Sequence, residues 1–101
     1  MSRAKRYQNS FPEALKVARS ACGLSQEAFS LASSRTYVSS LERGLKTPTL
    51  KKVDELAEVL DIHPLTLLTL SYVDDTDPGV AAALLSQVSL ELSKLSRQRK
   101  K

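Results

Sequence analysis

The chain is poor in the residues that build disulfides, metal centres and aromatic cores. Its 101 residues include one cysteine, one histidine, three tyrosines, two phenylalanines and no tryptophan. The single Cys22 excludes an intramolecular disulfide and is typical of a reducing compartment. His63 has no cysteine or second histidine near it in the sequence, so no metal site is expected. The core must therefore consist mainly of Leu, Val and Ala.

Membrane-spanning segments and catalytic patterns are also missing. The longest apolar run, Val80–Leu85, is too short to cross a bilayer, and no apolar segment follows the basic N-terminus as a secretory signal would require. There is no glycine-rich phosphate loop, and a lone histidine without an evident orienting acid makes a poor catalytic triad. We therefore expect no enzyme, no catalytic residues, no cofactor and no membrane association, and a cytoplasmic location.

The charges that are present are segregated along the chain. The net charge is +4, and residues 1–10 carry three cations without an acid, as residues 94–101 carry five. Residues 26–52 carry five cations against two acids, whereas residues 53–77 carry seven acids and no Lys or Arg. Such polarisation orients a protein on a polyanion such as nucleic acid. For the two basic ends, the alternative is that they only increase solubility.

Helix signals begin just after the basic N-terminal segment. Ser10 and Glu13 have the spacing of a capping box, which predicts a helix from Phe11 to about Cys22 that Gly23 ends. Its apolar face contains Leu15, Ala18 and Cys22. On this pattern Cys22 is expected to be a small core residue.

Two short helices separated by a tight turn are predicted next. Ser25 is placed to cap a helix over about 26–32, and a second helix over 35–43 follows the turn at Ser33 and Ser34 and ends at Gly44. The inward residues are expected to be Phe29, Ala32, Val38 and Leu41. The second helix is rich in Ser, Thr, Tyr and Arg, so its outer face can hydrogen-bond to phosphates and base edges in a DNA major groove.

Two further helices are predicted in the acidic part of the chain. Thr47-Pro48 is expected to open a fourth helix, and His63-Pro64 a fifth, with His63 as its cap. The apolar stripe of the fourth helix is Leu50, Val53, Ala57 and Leu60, and the fifth offers Leu65, Leu68 and Leu70 to the core.

A last helix is predicted after a linker, which gives four segments. These are a basic arm over 1–10, a helical domain over 11–72, a linker over 73–79, and a C-terminal helix with a basic tail over 80–101. The helix carries an apolar seam at 3-4-3 spacing, formed by Leu85, Val88, Leu92 and Leu95. We expect two copies of the chain to dimerise through this seam. In the alternative it packs back onto its own domain, and a dimer forms through the fourth and fifth helices.

The segment from about Phe11 to Tyr72 resembles the Cro/CI-like (XRE) helix-turn-helix family. The resemblance is carried by Leu15, Arg19, Gly23-Leu24-Ser25-Gln26-Glu27, Arg35-Thr36-Tyr37-Val38-Ser39, Leu41-Glu42-Arg43-Gly44, Pro48-Thr49-Leu50, Leu56-Ala57, Leu60-Asp61-Ile62 and Pro64. One departure is that the stretch from Gln26 to Glu42 is about two residues shorter than the family pattern and lacks the usual turn glycine.

The resemblance implies an all-α fold, namely a five-helix lambda-repressor-like DNA-binding domain with an additional C-terminal helix. It implies a transcriptional regulator that binds double-stranded DNA in the nucleoid, and we expect a homodimeric repressor on a palindromic operator. It also implies an ion pair between Arg19 and Glu42 that links the first helix to the end of the third.

The residues expected to contact DNA are Gln26, Arg35, Thr36, Tyr37, Ser39, Ser40, Arg43, Lys46 and Thr47. Gln26 is expected on a phosphate, and Arg35 either on a guanine or on a phosphate. Thr36 either packs on a thymine methyl or caps its helix. Tyr37 either contacts the sugar-phosphate backbone or is half-buried. Arg43, Lys46 and Thr47, at and after the end of the helix, are expected to lie along the phosphate backbone.

A protein-binding module is the alternative function. The resemblance includes antitoxins, in which the same fold binds DNA and neutralises a toxin. Residues 80–101 would then bind a protein partner, a toxin or a polymerase, by folding into a groove.

Overall fold

The regular structure of the chain is helical throughout the part that is described. A computed structural model describes residues 9–29, 34–73 and 78–99. The elements are α1 (Phe11–Ala21), a short 3-10 helix (Gln26–Phe29), α2 (Arg35–Glu42), α3 (Leu50–Leu60), α4 (Pro64–Tyr72) and α5 (Pro78–Arg99). Five short elements followed by one long helix confirm the predicted all-α class.

The start of α1 differs from the predicted capping box. The side chain of Ser10 makes no capping hydrogen bond. Instead, the Oδ1 atom of Asn9 accepts a hydrogen bond of 2.8 Å from the backbone N–H of Phe11. The predicted end is confirmed, because Gly23 follows α1 with φ of 69°, a left-handed conformation that a residue without Cβ adopts easily.

The caps of α2 and α3 are both hydroxyl side chains. Ser34 accepts a hydrogen bond of 3.0 Å from the Tyr37 amide, so Ser34 rather than Thr36 caps α2. Thr49 accepts one of 3.1 Å from the Lys52 amide, so α3 begins after Thr49 and not at Pro48. The later start leaves Leu50 on the outside, 77% exposed, and its predicted place in the apolar stripe is wrong.

His63 caps α4 as predicted. Its Nδ1 atom accepts a hydrogen bond of 3.0 Å from the Leu65 amide, and Pro64 occupies the first helical turn. Of the three leucines expected in the core, Leu68 and Leu70 are half-buried against it. Leu65 is 62% exposed, and the fully buried residue of this helix is Leu67 instead.

The core lies where α1 packs against α2 and α4, and where α3 packs against α4 and the 3-10 helix. Its largest fully buried apolar side chains are Leu15, Phe29, Val38, Leu41, Leu56 and Leu67. Val53, Ala57 and Leu60 are buried as predicted. Cys22 is exposed, and its prediction as a core residue is wrong because it follows the last residue of α1 and leaves the apolar face.

Several predicted features fall outside the described residues. The 3-10 helix covers the first four residues of the predicted second helix, and Ala32 and Ser33 are outside the description. The basic residues of the arm, Arg3, Lys5 and Arg6, are outside it as well.

The C-terminal helix α5 begins at Pro78, two residues before the predicted start, and contacts α4. Its residues Ala81, Leu84 and Gln87 are half-buried, whereas its predicted seam is exposed. No helix among the described residues is both long and apolar enough to cross a membrane.

Replacing Thr49 by Ala tests the observed start of α3. The variant removes the acceptor for the Lys52 amide, so we expect the free energy of unfolding to fall by about 1 kcal/mol. Urea unfolding followed by circular dichroism measures the change. The matched control is Thr47→Ala, which removes the same side chain from the exposed preceding loop and should change stability by less than about 0.5 kcal/mol. A larger loss for Thr47→Ala would contradict this helix start.

Candidate nucleic-acid interface

Helix α2 exposes a polar face that has an arginine near each end. Arg35, Thr36 and Arg43 are exposed and Ser39 is partly exposed. Because successive residues of an α-helix are rotated by about 100°, these four side chains lie within about one third of the circumference. Val38 and Leu41 are fully buried on the other side. The outward positions predicted for Arg35, Thr36 and Ser39 are therefore confirmed.

The buried side of α2 is wider than the sequence pattern indicated. Ser40 is 7% exposed, so its predicted place on the outer face is wrong. Tyr37 is half-buried and packs against the core, and the Nζ atom of Lys52 lies 5.5 Å from its ring centroid. Burial thus extends from Ser40 past Tyr37 to Leu41, because α1 and the 3-10 helix both pack against this short helix.

A loop of exposed polar residues continues from the end of α2. Gly44 turns the chain with φ of 76°, and the amide of Leu45 donates to the Ser40 carbonyl at 2.9 Å. Arg43, Lys46 and Thr47 are all exposed. The structure therefore brings the loop cations next to the C-terminal end of the polar face of α2.

A buried carboxylate lies behind this face. Glu42 accepts hydrogen bonds from Arg19 Nε at 2.6 Å, Arg19 Nη2 at 3.0 Å and Gln26 Nε2 at 3.0 Å. Its side chain is 3% exposed, and the Arg19 Nη1 atom also donates to the Leu24 carbonyl at 3.0 Å. This confirms the ion pair that the resemblance implied. The contacts tie α1, the 3-10 helix and the end of α2 together.

The ionisation of Glu42 follows from these neighbours. Burial disfavours the charged form and by itself raises the pKa, but the hydrogen bonds from Arg19 and Gln26 and the charge of Arg19 outweigh it. The pKa of Glu42 is therefore held below its usual range, and the hydrogen bonds that Arg19 donates to Glu42 raise the pKa of Arg19. Both groups are charged at neutral pH, and Arg19 neutralises the carboxylate at the end of α2.

The hydrogen bond between Gln26 and Glu42 was not among the sequence expectations. Gln26 was expected on a DNA phosphate, whereas the half-buried amide donates one hydrogen to Glu42. An Nε2 group has two hydrogens, so one remains for a second acceptor. A further donor is required once Glu42 is buried, because one arginine seldom satisfies every acceptor position of a carboxylate, but the sequence alone does not show that burial.

The surface formed by α2 and its loop is positively charged. Arg35, Arg43 and Lys46 are exposed on it, and the carboxylate of Glu42 is already paired. Such a surface attracts a polyanion in a salt-dependent way. Among the described residues, no group of His, Cys, Asp and Glu is arranged to hold a metal ion.

The 3-10 helix and α2 pack against each other, and α2 carries an exposed polar face, an arrangement typical of a DNA-binding domain of the helix-turn-helix class. A helix-turn-helix family model, HTH_3, matches residues 15–67. The chain belongs to this family, which confirms the resemblance to Cro/CI-like (XRE) regulators and makes it a DNA-binding transcription regulator. No curated protein and no solved structure matches the chain.

Replacing Glu42 by Gln tests the role of the buried carboxylate. At pH 7 the variant leaves the Arg19 guanidinium without its counter-charge, so we expect the free energy of unfolding to fall by about 3 kcal/mol. A carboxylate whose pKa is lowered on folding stabilises the fold above the unfolded pKa, and this stabilisation is lost as the pH falls through the folded pKa. The stability difference between the two proteins should therefore shrink from pH 7 to pH 3.

Urea unfolding at both pH values measures this difference. Glu55→Gln is the control. Like Glu42, Glu55 is paired with a cation, in this case Lys52, but the pair lies at the surface, where solvent screens it. We expect only a small change in that variant. An equal difference at pH 7 and pH 3 for Glu42→Gln would contradict the stabilising role of its ionised form.

Proposed function

We propose that the protein is a sequence-specific repressor that binds a palindromic operator as a homodimer. The observation that carries this proposal is the positively charged polar face of α2, with Arg35, Thr36, Ser39 and Arg43 on one side of a helix whose other side is buried. A face of this kind fits a major groove, where base edges present donors and acceptors.

Within this proposal the side chains divide into two groups. Arg35 and Thr36 lie in the first turn of α2, the part of a recognition helix that contacts bases, and Ser39 follows one turn later on the same face. Arg43 lies eight residues from Arg35, about 12 Å along the axis, and contacts phosphate together with Lys46 and Thr47.

Two further contacts complete the proposed interface. Gln26 donates its second amide hydrogen to a phosphate while Glu42 holds the first. Tyr37 reaches the sugar-phosphate backbone with its hydroxyl while its ring stays half-buried. Ser40 is left out of the proposed interface because it is buried.

A dimer follows from the small size of one reading face. Two copies on half-sites about 34 Å apart multiply both affinity and specificity. The proposed dimerisation residues are Leu85, Val88, Leu92 and Leu95, all of which are exposed in one copy. Repression in the cytoplasm, on nucleoid DNA, follows when the bound dimer occludes a promoter.

Selection of bound sequences from random duplex DNA with the full chain tests this function. We expect enrichment of a two-fold symmetric motif whose half-sites are about one helical turn apart. Weak, salt-sensitive binding without enrichment would contradict it, because the basic surface would then supply only non-specific affinity.

Replacing Arg35 by Ala tests base reading at one position. If Arg35 binds a guanine, the variant should lose about 1–3 kcal/mol of binding free energy on the selected operator and relax the preference at one position of each half-site. The matched control is Lys16→Ala, which removes one exposed cation from α1. Competition binding on single-base operator variants measures both effects. A uniform loss across all sequences would place Arg35 on a phosphate instead.

The antitoxin function is the second candidate, and the exposed apolar residues of α5 favour it. A partner protein would then cover the residues that the dimer otherwise covers. Sedimentation of the purified chain separates the two, because a stable homodimer leaves no free α5 face for such a partner.

A further inference from the structure

The two halves of α5 have different surroundings. The first half runs beside α4, and Ala81, Leu84 and Gln87 are half-buried there. The second half extends past α4, and its seam residues Leu92 and Leu95 are 61% and 58% exposed. Large aliphatic side chains at this spacing on one helix face indicate an interface rather than scattered surface residues.

An apolar groove lies between α4 and the first half of α5. It encloses about 500 Å³. Its lining includes Leu65, Leu68 and Tyr72 of α4 and Leu84, Val88 and Glu91 of α5. At its edge the Nε2 atom of Gln87 donates to Glu91 at 3.1 Å, so a polar rim borders an apolar floor. Groove and seam share Val88 and form one continuous surface.

We propose that a second copy of the chain fills this groove, with the two α5 helices antiparallel. The proposal rests on the proposed homodimer and adds its geometry. The two-fold axis passes between Val88 and Ser89, the midpoint of the 22-residue helix. Leu85 of one copy then lies beside Leu92 of the other, because both are equally far from the midpoint.

Packing favours the antiparallel orientation. In that orientation the second half of each α5, which lacks α4 beside it, lies over the groove of the other copy, so Leu92 and Leu95 are covered by Leu65 and Leu68. In a parallel pair the two second halves would meet only each other. The groove beside the first halves would then stay unfilled by either seam.

Charge favours the same orientation. The C-terminal end of α5 carries Lys94, Arg97 and Arg99 and no acid over residues 94–99. A parallel pair brings the six cations of two copies to one end of the dimer. An antiparallel pair instead separates the two basic ends and aligns the two helix dipoles favourably.

Disulfide trapping tests the orientation in a Cys22→Ser background, which removes the native thiol. Antiparallel helices place residue 85 next to residue 92 of the partner, whereas two copies of residue 85 are about 10 Å apart along the axis. A disulfide requires Cα atoms within about 7 Å. We therefore expect Leu85→Cys mixed with Leu92→Cys to form a cross-linked heterodimer and neither variant to cross-link with itself.

One control variant and two contrary outcomes accompany this test. Ser86→Cys, exposed on the opposite face of α5, should not cross-link with either variant. Self-linking of both the Leu85→Cys and the Leu92→Cys proteins would show parallel helices and overturn the proposal. A monomer without cross-links would overturn it as well, and would leave the α5 face to a different protein.

A second pair of variants tests the interface without thiols. Leu92→Asp should shift the sedimentation coefficient from dimer to monomer, whereas Leu90→Asp, which is on the other side of α5 and 65% exposed, should not. Equal behaviour of the two variants would overturn the proposal. These readouts need no DNA, so a trapped antiparallel dimer that selects no operator would contradict the proposed function alone.

Discussion

The hydrogen-bonded carboxylate of Glu42 is the constraint on which the DNA-binding part of the fold depends. It is the last residue of α2, and the donors that compensate its charge come from Arg19 in α1 and Gln26 in the 3-10 helix. A buried carboxylate without partners costs several kcal/mol, so the three elements are held in the arrangement that supplies them. Removing one partner is costly because it leaves the other charge uncompensated, whereas the intact pair specifies orientation more than it adds net stability.

The outer face of α2 is a consequence of that arrangement. An eight-residue helix is too short to be stable alone, and α2 is stabilised by burying Val38, Leu41 and most of its circumference. What remains outside is a narrow polar strip with Arg35 and Arg43 near its ends. Because the core fixes the back of the helix, the strip is presented as a rigid surface, which suits sequence reading in a groove.

The surroundings of the long helix α5 differ from those of α2. The domain core is complete without it, and α4 covers only part of its first half. Its leucines consequently stay exposed in one copy, at fractions that a monomeric surface seldom combines in one helix. The proposed function thereby assigns DNA reading and self-association to separate elements, one fixed by the Glu42 ion pair and the other exposed in one copy.

The sequence determined the helical class, the family, the cap at His63, and the inward positions of Val38 and Leu41, because these depend on local spacing and local hydrogen bonds. Tertiary structure alone decided that Ser40 is buried, that Leu67 replaces Leu65 in the core, that Cys22 is exposed, and that Gln26 binds Glu42. Periodicity gives the direction of a side chain around its own helix. Which neighbours cover that direction depends on the packing of the other helices.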